Sequence, residues 1–482
     1  MMCNSQAERL QRLRPNRLTW HTPNVRGLVL TLLLLVRCGV AAGQTNTEPG
    51  SVPAREQRPI VILTLPKALA LAMEHNRRLQ LAGLGVADAE QKKNILRSDY
   101  YPHIRNESTA LHVTELEGVV IPAGAFSQAS ATAPIPDETI RLGQGGVNTY
   151  TSGTGLVQPI TQLLKVHAGV KAAVADIHIA KLDATDAEDS IALLVHKLYF
   201  EILTKQMQLS AADESVKAGA VADEESTQAV AEGKSLDVAK LESRASLLQQ
   251  KQTSLTDELA INDLMMQFDD VLGLPLGTKL QLDEDSLGDD AVLPSEAEAV
   301  SLLRERNPKV LSAMQTVEKA KAAVSAAKDA YIPDISGVAR YSYQSGIPFL
   351  VHNFGTFGGV ISYDLFDGGA REAKLKQAKI QLHMAELQLA QTQADVSVQV
   401  YAVYDEIRKL QQLMTVASET LLVRQEQARV IRQRLNENAA LASDVARSQA
   451  SVAAAKASVL EAKLDLVLFQ KQVLTFLGER PN

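Results

Sequence analysis

Two stretches in the second half of the chain alternate strictly in character. Ile335, Gly337, Ala339, Tyr341 and Tyr343 interleave with Ser336, Val338, Arg340, Ser342 and Gln344. After a turn signal at Gly346-Ile347-Pro348, Phe357, Gly359, Ile361, Tyr363 and Leu365 interleave with Thr356, Gly358, Val360, Ser362 and Asp364. A period of two predicts two strands, about 334–345 and 355–366, each with one largely apolar and one largely polar face. Their length, about ten residues, suits a tilted membrane strand, although a hairpin in a soluble sheet has the same period. Elsewhere the period is helical. Leu65–Tyr100 reads as one helix, with Pro66 in its first turn and Tyr101-Pro102 as its stop. Residues 160–274 contain no proline, and residues 370–477 contain neither glycine nor proline. These runs predict long helices, one of roughly 70 residues and ~105 Å. Their breaks fall at Glu232-Gly233-Lys234-Ser235, and at Asn436-Glu437-Asn438 with Ser443-Asp444. Helices of that length need lateral neighbours along their whole extent.

The pattern is stated twice. Ala68, Leu71, Asn76, Tyr100, Pro102 and Ile104 recur 231 residues later as Ala299, Leu302, Asn307, Tyr331, Pro333 and Ile335. Tyr199, Glu201 and Ile202 recur 205 residues later as Tyr404, Glu406 and Ile407, and Leu272-Gly273 as Leu477-Gly478. Asp237-Val238-Ala239 answers Asp444-Val445-Ala446. The length change sits in one loop of the first copy, as expected for a duplicated fold. The first copy's strands are less regular: Ile104, Leu111 and Val113 before the loop, then Leu156, Val157 and Ile160 after it. The organisation read from this is a leader at 1–42, a linker at 43–60 and a first repeat at 61–275, with strands about 103–115 and 149–160. A second linker at 276–294 precedes the second repeat at 295–478.

The strand count narrows the architecture. Four strands are too few for a membrane barrel, since the smallest single-chain ones have about eight. An open sheet would leave unpaired edges in lipid. A barrel must therefore be shared between chains, with eight strands for a dimer or twelve for a trimer.

Composition and charge then remove other classes. Aromatic residues are only 4% of the chain, which suits close-packed helices better than a large aromatic core. The basic residues Arg9, Arg12, Arg14, Arg17 and Arg26 precede an apolar run at 27–36 and the small residues Val40-Ala41-Ala42, the order of an export signal. Both cysteines, Cys3 and Cys38, lie in this leader. Arg37 stands where a lipid-anchor site needs a small residue. Without residues 1–42 the chain holds 43 basic and 55 acidic residues, a formal −12, which argues against a nucleic-acid partner. The histidines show no spacing suited to a metal. No phosphate loop or nucleophile elbow is present, so neither an enzyme nor a cofactor is expected.

Three groups of residues resemble the TolC-like outer-membrane efflux proteins. Leu63-Thr64-Leu65-Pro66-Lys67-Ala68-Leu69 through Ala72 and Asn76 resembles that family's opening helix. Ala299, Leu302, Asn307 and Pro308 echo it where the second repeat begins. Tyr363-Asp364-Leu365-Phe366-Asp367-Gly368-Gly369 resembles the family's passage from last strand to long helix. The resemblance spans roughly residues 60–480. It implies a mainly α fold with a β-barrel portion: a homotrimer whose twelve-stranded outer-membrane barrel, bounded by lipid, continues into a periplasmic helical tube. It also implies a passive exit duct in efflux or type I secretion, docked to a periplasmic adaptor and an inner-membrane pump. The other reading is a soluble periplasmic coiled-coil adaptor or scaffold. Such a protein should carry a lipoyl-like domain between its helices rather than two strand hairpins at repeat-equivalent places.

By the same resemblance, the helix-to-helix turns form the periplasmic entrance. Asp237 and Asp444 are its candidate acidic residues, six carboxylates in a trimer, favouring cations. Each aspartate equally suits a plain capping role at a helix start. Gly233, Ser235, Leu236, Leu441 and Ser443 are the candidate tip residues for touching an adaptor. The chain departs from the family at Arg447, where some members have a second acid, and at Ala440, near the place of a gate arginine.

Overall fold

The opening helix contains a break that its apolar period does not reveal. In the computed structural model, residues 65–100 form not one helix but two, α1 (Leu65–His75) and α2 (Arg77–Ser98), with Asn76 extended between them. The Asn76 carboxamide is buried and works in both directions. Its Oδ1 accepts the Arg78 N–H at 2.9 Å, capping α2, and its Nδ2 donates to the Val271 carbonyl at 2.8 Å. The second copy repeats the device between α5 (Glu296–Arg306) and α6 (Pro308–Asp329). Asn307 accepts from the N–H groups of Lys309 at 3.0 Å and Val310 at 3.3 Å, and donates to the Phe476 carbonyl at 3.0 Å. Each asparagine thereby fastens the beginning of its repeat to that repeat's end.

The structure describes residues 61–114, 119–128, 134–142, 148–283, 292–346 and 351–479, all within one unit spanning 58–482. The expected leader and its linker lie outside these residues, as does part of the linker expected between the repeats. After α2 come strands β2 (His103–His112) and β7 (Asn148–Pro159), then α3 (Gln162–Ala231) and α4 (Asp237–Leu272). After α6 come β9 (Asp334–Ser345) and β10 (Asn353–Ser362), then α7 (Ala370–Asn436) and α8 (Ala442–Phe476). The first copy's longer loop carries two short hairpins, β3 (Val119–Ile121) with β6 (Ile140–Leu142) and β4 (Ser127–Gln128) with β5 (Pro134–Ile135).

The four main strands form one antiparallel sheet in the order β10-β9-β7-β2, so the two hairpins join through β7 and β9. The helices keep the same lateral order. One half of α3 lies in the row α2-α3-α6-α7, and the other in the row α4-α3-α8-α7. Ion pairs mark the two halves: Lys319–Asp176 at 2.7 Å joins α6 to α3, and Arg244–Asp223 at 3.2 Å joins α4 to it. The strand-to-helix joints of the copies are bonded to each other. The Thr161 hydroxyl donates to the Pro333 carbonyl and accepts the Ile335 N–H, both at 2.8 Å, and Lys165 meets Asp334 at 2.9 Å.

Outside this layer, β1 (Val61–Leu63) at the start of the first repeat pairs in parallel with β8 (Leu280–Leu282), which lies in the stretch expected to be linker. The Tyr199 hydroxyl seals it, its single O–H lying between the Asp283 carbonyl at 2.8 Å and the Leu63 carbonyl at 3.1 Å, while its oxygen accepts the Asp283 N–H at 3.0 Å. Its repeat partner Tyr404 donates to the Pro294 carbonyl at 2.8 Å. Leu63 and Pro294 are themselves 231 residues apart. Two apolar cores follow from this plan, one around Leu63, Ala68, Tyr199 and Phe268, the other around Ala299, Val400, Val473 and Leu477. Gly273 and Gly478 end the last helices with positive φ. A Cβ there would meet His75 Cβ at 2.8 Å and the Arg306 carbonyl oxygen at 2.9 Å, respectively, so only glycine lets the repeat's two ends touch.

Candidate functional site

Three places on this frame combine exposure with organised chemistry: the two faces of the sheet, the joint below it, and the helix turns farthest along the chain from it. On the sheet, Ile104, Leu156, Ala339 and Phe357 share one register row, and Ile335 with Ile361 another on the same face. Phe357 and Ile361 are largely exposed. In the first hairpin this face looked untidy in sequence because it also carries polar residues. Those residues hydrogen-bond one another across the strands: Asn106 to Thr154 at 2.9 Å, Ser108 with Ser152 at 2.8 Å, and His112 with Asn148 at 2.8 Å. Side chains paired in this way lose much of their cost in an apolar setting. The opposite face holds the charged residues Arg105, Glu107 and Arg340, among Thr109, Thr151, Ser342 and Gln344.

The last strand stops at Ser362, short of the expected 366. The residues that follow are pulled into a clamp around Arg371, in the first turn of α7. The Arg371 Nε donates to Asp367 Oδ2 at 2.9 Å, its Nη2 to the Asp364 carbonyl, and its guanidinium lies 4.6 Å from the Tyr363 ring centre and 6.0 Å from that of Tyr331. Asp367 also accepts the Gly369 and Arg371 N–H groups, at 3.0 and 2.9 Å. The Arg371 side-chain hydrogen bond, followed by the backbone donors, holds this carboxyl below the usual aspartate range. Leu365 and Phe366, inside the clamped loop, are 92% and 90% exposed.

The helix turns are close copies. Gly233 has φ +70°, and the Lys234 N–H reaches back to the Ala229 carbonyl at 2.8 Å. Asn438, 205 residues on, has φ +54°, and the Ala439 N–H reaches the Arg434 carbonyl at 2.8 Å. Leu236 and Leu441 then cap α4 and α8. With the turns aligned in this way, Asp237 is the first residue of α4 but Asp444 the third of α8. The Asp-Val-Ala match of the sequence is therefore displaced by two residues. Asp444 Oδ2 accepts the Leu441 N–H at 3.2 Å, and Oδ1 lies 3.8 Å from Arg447. Asp237 is exposed, as are Gly233, Leu236 and Leu441, while Ser235 is half-buried and Ser443 buried. The Ser443 N–H donates to Glu225 Oε1 on α3 at 3.1 Å. Sequence reasoning missed Glu225, because only the fold brings the end of α3 to the start of α8. Next to these turns, α3, α4 and α8 enclose a cleft of about 480 Å³ lined by small residues, among them Ser215, Gly219, Ser243, Ser246, Ala450 and Ser451.

Among the described residues, no cluster of histidine, cysteine or carboxylate side chains is arranged to hold a metal, and no helix is long and apolar enough to cross a membrane. An open amphipathic sheet carried on a duplicated layer of long helices defines a class of fold, that of the outer-membrane channels with a helical tunnel. Residues 299–479 match the outer membrane efflux protein family. The outer membrane efflux protein BepC of Brucella suis biovar 1 (strain 1330) is 26% identical over 159 residues, 33% of this chain and 35% of that protein. The aligned region thus spans about a third of that relative. The CmeC outer membrane channel of Campylobacter jejuni superimposes with a TM-score of 0.69 at 14% identity, over 92% of this chain and 95% of that one. The open state of the Neisseria gonorrhoeae MtrE outer membrane channel gives 0.68 at 16% identity, over 92% and 98%. The chain resembles the TolC-like outer membrane efflux proteins in sequence across its second repeat, and in fold across both.

Proposed function

We propose that three copies of this chain form an outer-membrane exit duct of an efflux or type I secretion system, and that it is a conduit rather than an enzyme. The observation that carries the reading is the agreement of the unpartnered edges. On one side of the protomer lie β10 and α7; on the other lie β2, α2 and α4. Among the described residues both sheet edges are bare, and the edge helices bear exposed apolar stripes. In the row nearer the sheet, Leu81, Leu84 and Ile95 are exposed on α2 and Ile380, Met384 and Leu387 on α7. In the other row, Leu241, Leu248 and Leu255 are exposed on α4 and Leu413, Val416 and Val423 on α7. Two different edges that complement each other call for head-to-tail closure around an axis. Three copies supply twelve strands, an even number within the range of known barrels. The face of Ile361 and Phe357 then meets lipid, and the face of Arg105 and Arg340 meets the lumen.

The helix turns form the periplasmic entrance, with Asp237 and Asp444 giving it negative charge. The exposed Leu236 and Leu441, the turn residues Gly233 and Ser235, and the small-residue cleft beside them suit docking of a helical adaptor that leads to an inner-membrane pump; Ser443, buried with its N–H on Glu225, is not a surface for it. The test is to fractionate cells and weigh the detergent-extracted protein by light scattering. Recovery in the outer membrane as a trimer is expected. A stable monomer, or recovery wholly in the soluble periplasm, overturns the reading.

A further inference from the structure

We propose that Arg105 and Arg340 form an anion-binding belt inside the barrel, so that the duct has two charged zones of opposite sign. The inference rests on the barrel reading above. Arg105, Gly155, Arg340 and Thr356 share one register row across all four strands, on the charged face. The strand between the arginines carries glycine at successive positions of that face, Gly153 and Gly155. The room is used: a Cβ on Gly153 would lie 2.6 Å from both Nε and Nη2 of Arg340. The guanidinium lies across the neighbouring strand, held by its Nε donating to the Ser342 hydroxyl at 3.2 Å. The other charged groups on this face are few. Glu107 sits opposite Gly153, one row away; Asp334, at the foot of β9, is matched by Lys165; and His103 stands at the foot of β2. Two arginines against one unmatched glutamate leave a positive band, in a chain whose formal charge is −7.

Scale makes the band effective. Strands lie ~4.8 Å apart, so the two arginines of one chain are ~10 Å apart around the wall. Cyclic symmetry sets the three Arg105 at one height and the three Arg340 at another, ~6 Å away for strands tilted by ~40°. A barrel of twelve strands tilted by ~40° has a backbone radius of ~12 Å. Guanidinium groups lying on this wall, a few Å inside the backbone, therefore stand about one Debye length from the axis, ~8 Å at physiological ionic strength. An ion crossing the barrel cannot avoid their field. The ligand class is a multivalent anion, which gathers several guanidinium groups at once.

Planar-bilayer recordings with inorganic tripolyphosphate as the probe test this. Wild-type current should be blocked when tripolyphosphate is added on the side of the 113–147 loop, and Arg105→Gln with Arg340→Gln should weaken the block at least ~10-fold. Arg105→Lys with Arg340→Lys keeps the charge and should retain most of the block, while Asp237→Asn with Asp444→Asn should leave it in place. If the double glutamine protein does not assemble, Arg340→Gln alone should still weaken the block about threefold. A wild-type channel indifferent to tripolyphosphate, or equal block in wild type and glutamine variants, overturns the belt while leaving the duct intact. A purified trimer that conducts no current overturns the duct itself.

Discussion

Replacing Asn76 with alanine removes two bonds at once, and the structure gives the size of each. Loss of the α2 cap costs about 1 kcal/mol. The Val271 carbonyl, left without the Asn76 donor in a part-buried setting, adds ~1–3 kcal/mol. The sum, ~2–4 kcal/mol, should appear locally, because the bonds tie α1 and α2 to the end of α4. Amide hydrogen exchange is the suitable assay, since it reads the opening of one segment without unfolding the assembly. Exchange near residues 65–80 and 268–275 should speed up ~30- to 1,000-fold, with the second repeat unchanged. Asn307→Ala should do the same at residues 296–311 and 472–478, and the two should add, since they share no partner. Asn76→Asp keeps the capping oxygen but loses the donor to Val271, so it should not restore protection. Exchange within twofold of wild type in Asn76→Ala, or full protection in Asn76→Asp, would refute this reasoning.

Other expectations concern the barrel, the entrance and pH. Arginine at Ile361 or Ala339 should cost ~2–4 kcal/mol near mid-bilayer and lower the trimer yield, whereas arginine at Ser342 or Ser362 should be milder; equal yields would contradict the register or the barrel itself. Asp237→Asn with Asp444→Asn should shift the reversal potential under a salt gradient towards lower cation preference, with assembly preserved because Asp237 is exposed and an asparagine at 444 keeps an oxygen for the Leu441 N–H; an unshifted potential would remove these aspartates from the pore. Asp465 on α8 is pushed above the usual aspartate range by burial first, then by Glu461, Glu201 and Glu406. A raised carboxyl disfavours the ionised form, so stability is lost as pH rises from the unfolded value through the folded one. Asp465→Asn should therefore raise the melting temperature near pH 7, with the gain fading towards about pH 3.5; a gain equal at both pH values, or a loss near pH 7, would contradict the assignment.

The repeat and the hairpins were legible because both are periodic, and periodicity survives in a single sequence. The second hairpin alternates cleanly since its apolar face carries little else. The first hides its face behind Asn106–Thr154 and Ser108–Ser152, pairs that satisfy each other only across strands. The breaks at Asn76 and Asn307 were missed for a related reason. An asparagine within a helical pattern is unremarkable until a carbonyl 195 residues away, at Val271, becomes its partner. The parallel pairing of β1 with β8 joins two three-residue strands, too short for any period to show. At the entrance, identical tripeptides suggested that Asp237 and Asp444 were equivalent, yet the backbone geometry of Gly233 and Asn438 sets their turns in a register two residues away. Glu225 left no local trace, since its role depends wholly on the packing of α3 against α8.

The most direct measurement is the conductance of the purified, detergent-extracted trimer in a planar bilayer. A water-filled duct should insert in discrete, equal current steps, each linear in voltage once the entrance is open, with Asp237→Asn and Asp444→Asn altering ion preference but not the existence of the steps. A stable trimer that inserts and passes no current under any voltage or entrance variant would contradict the conduit.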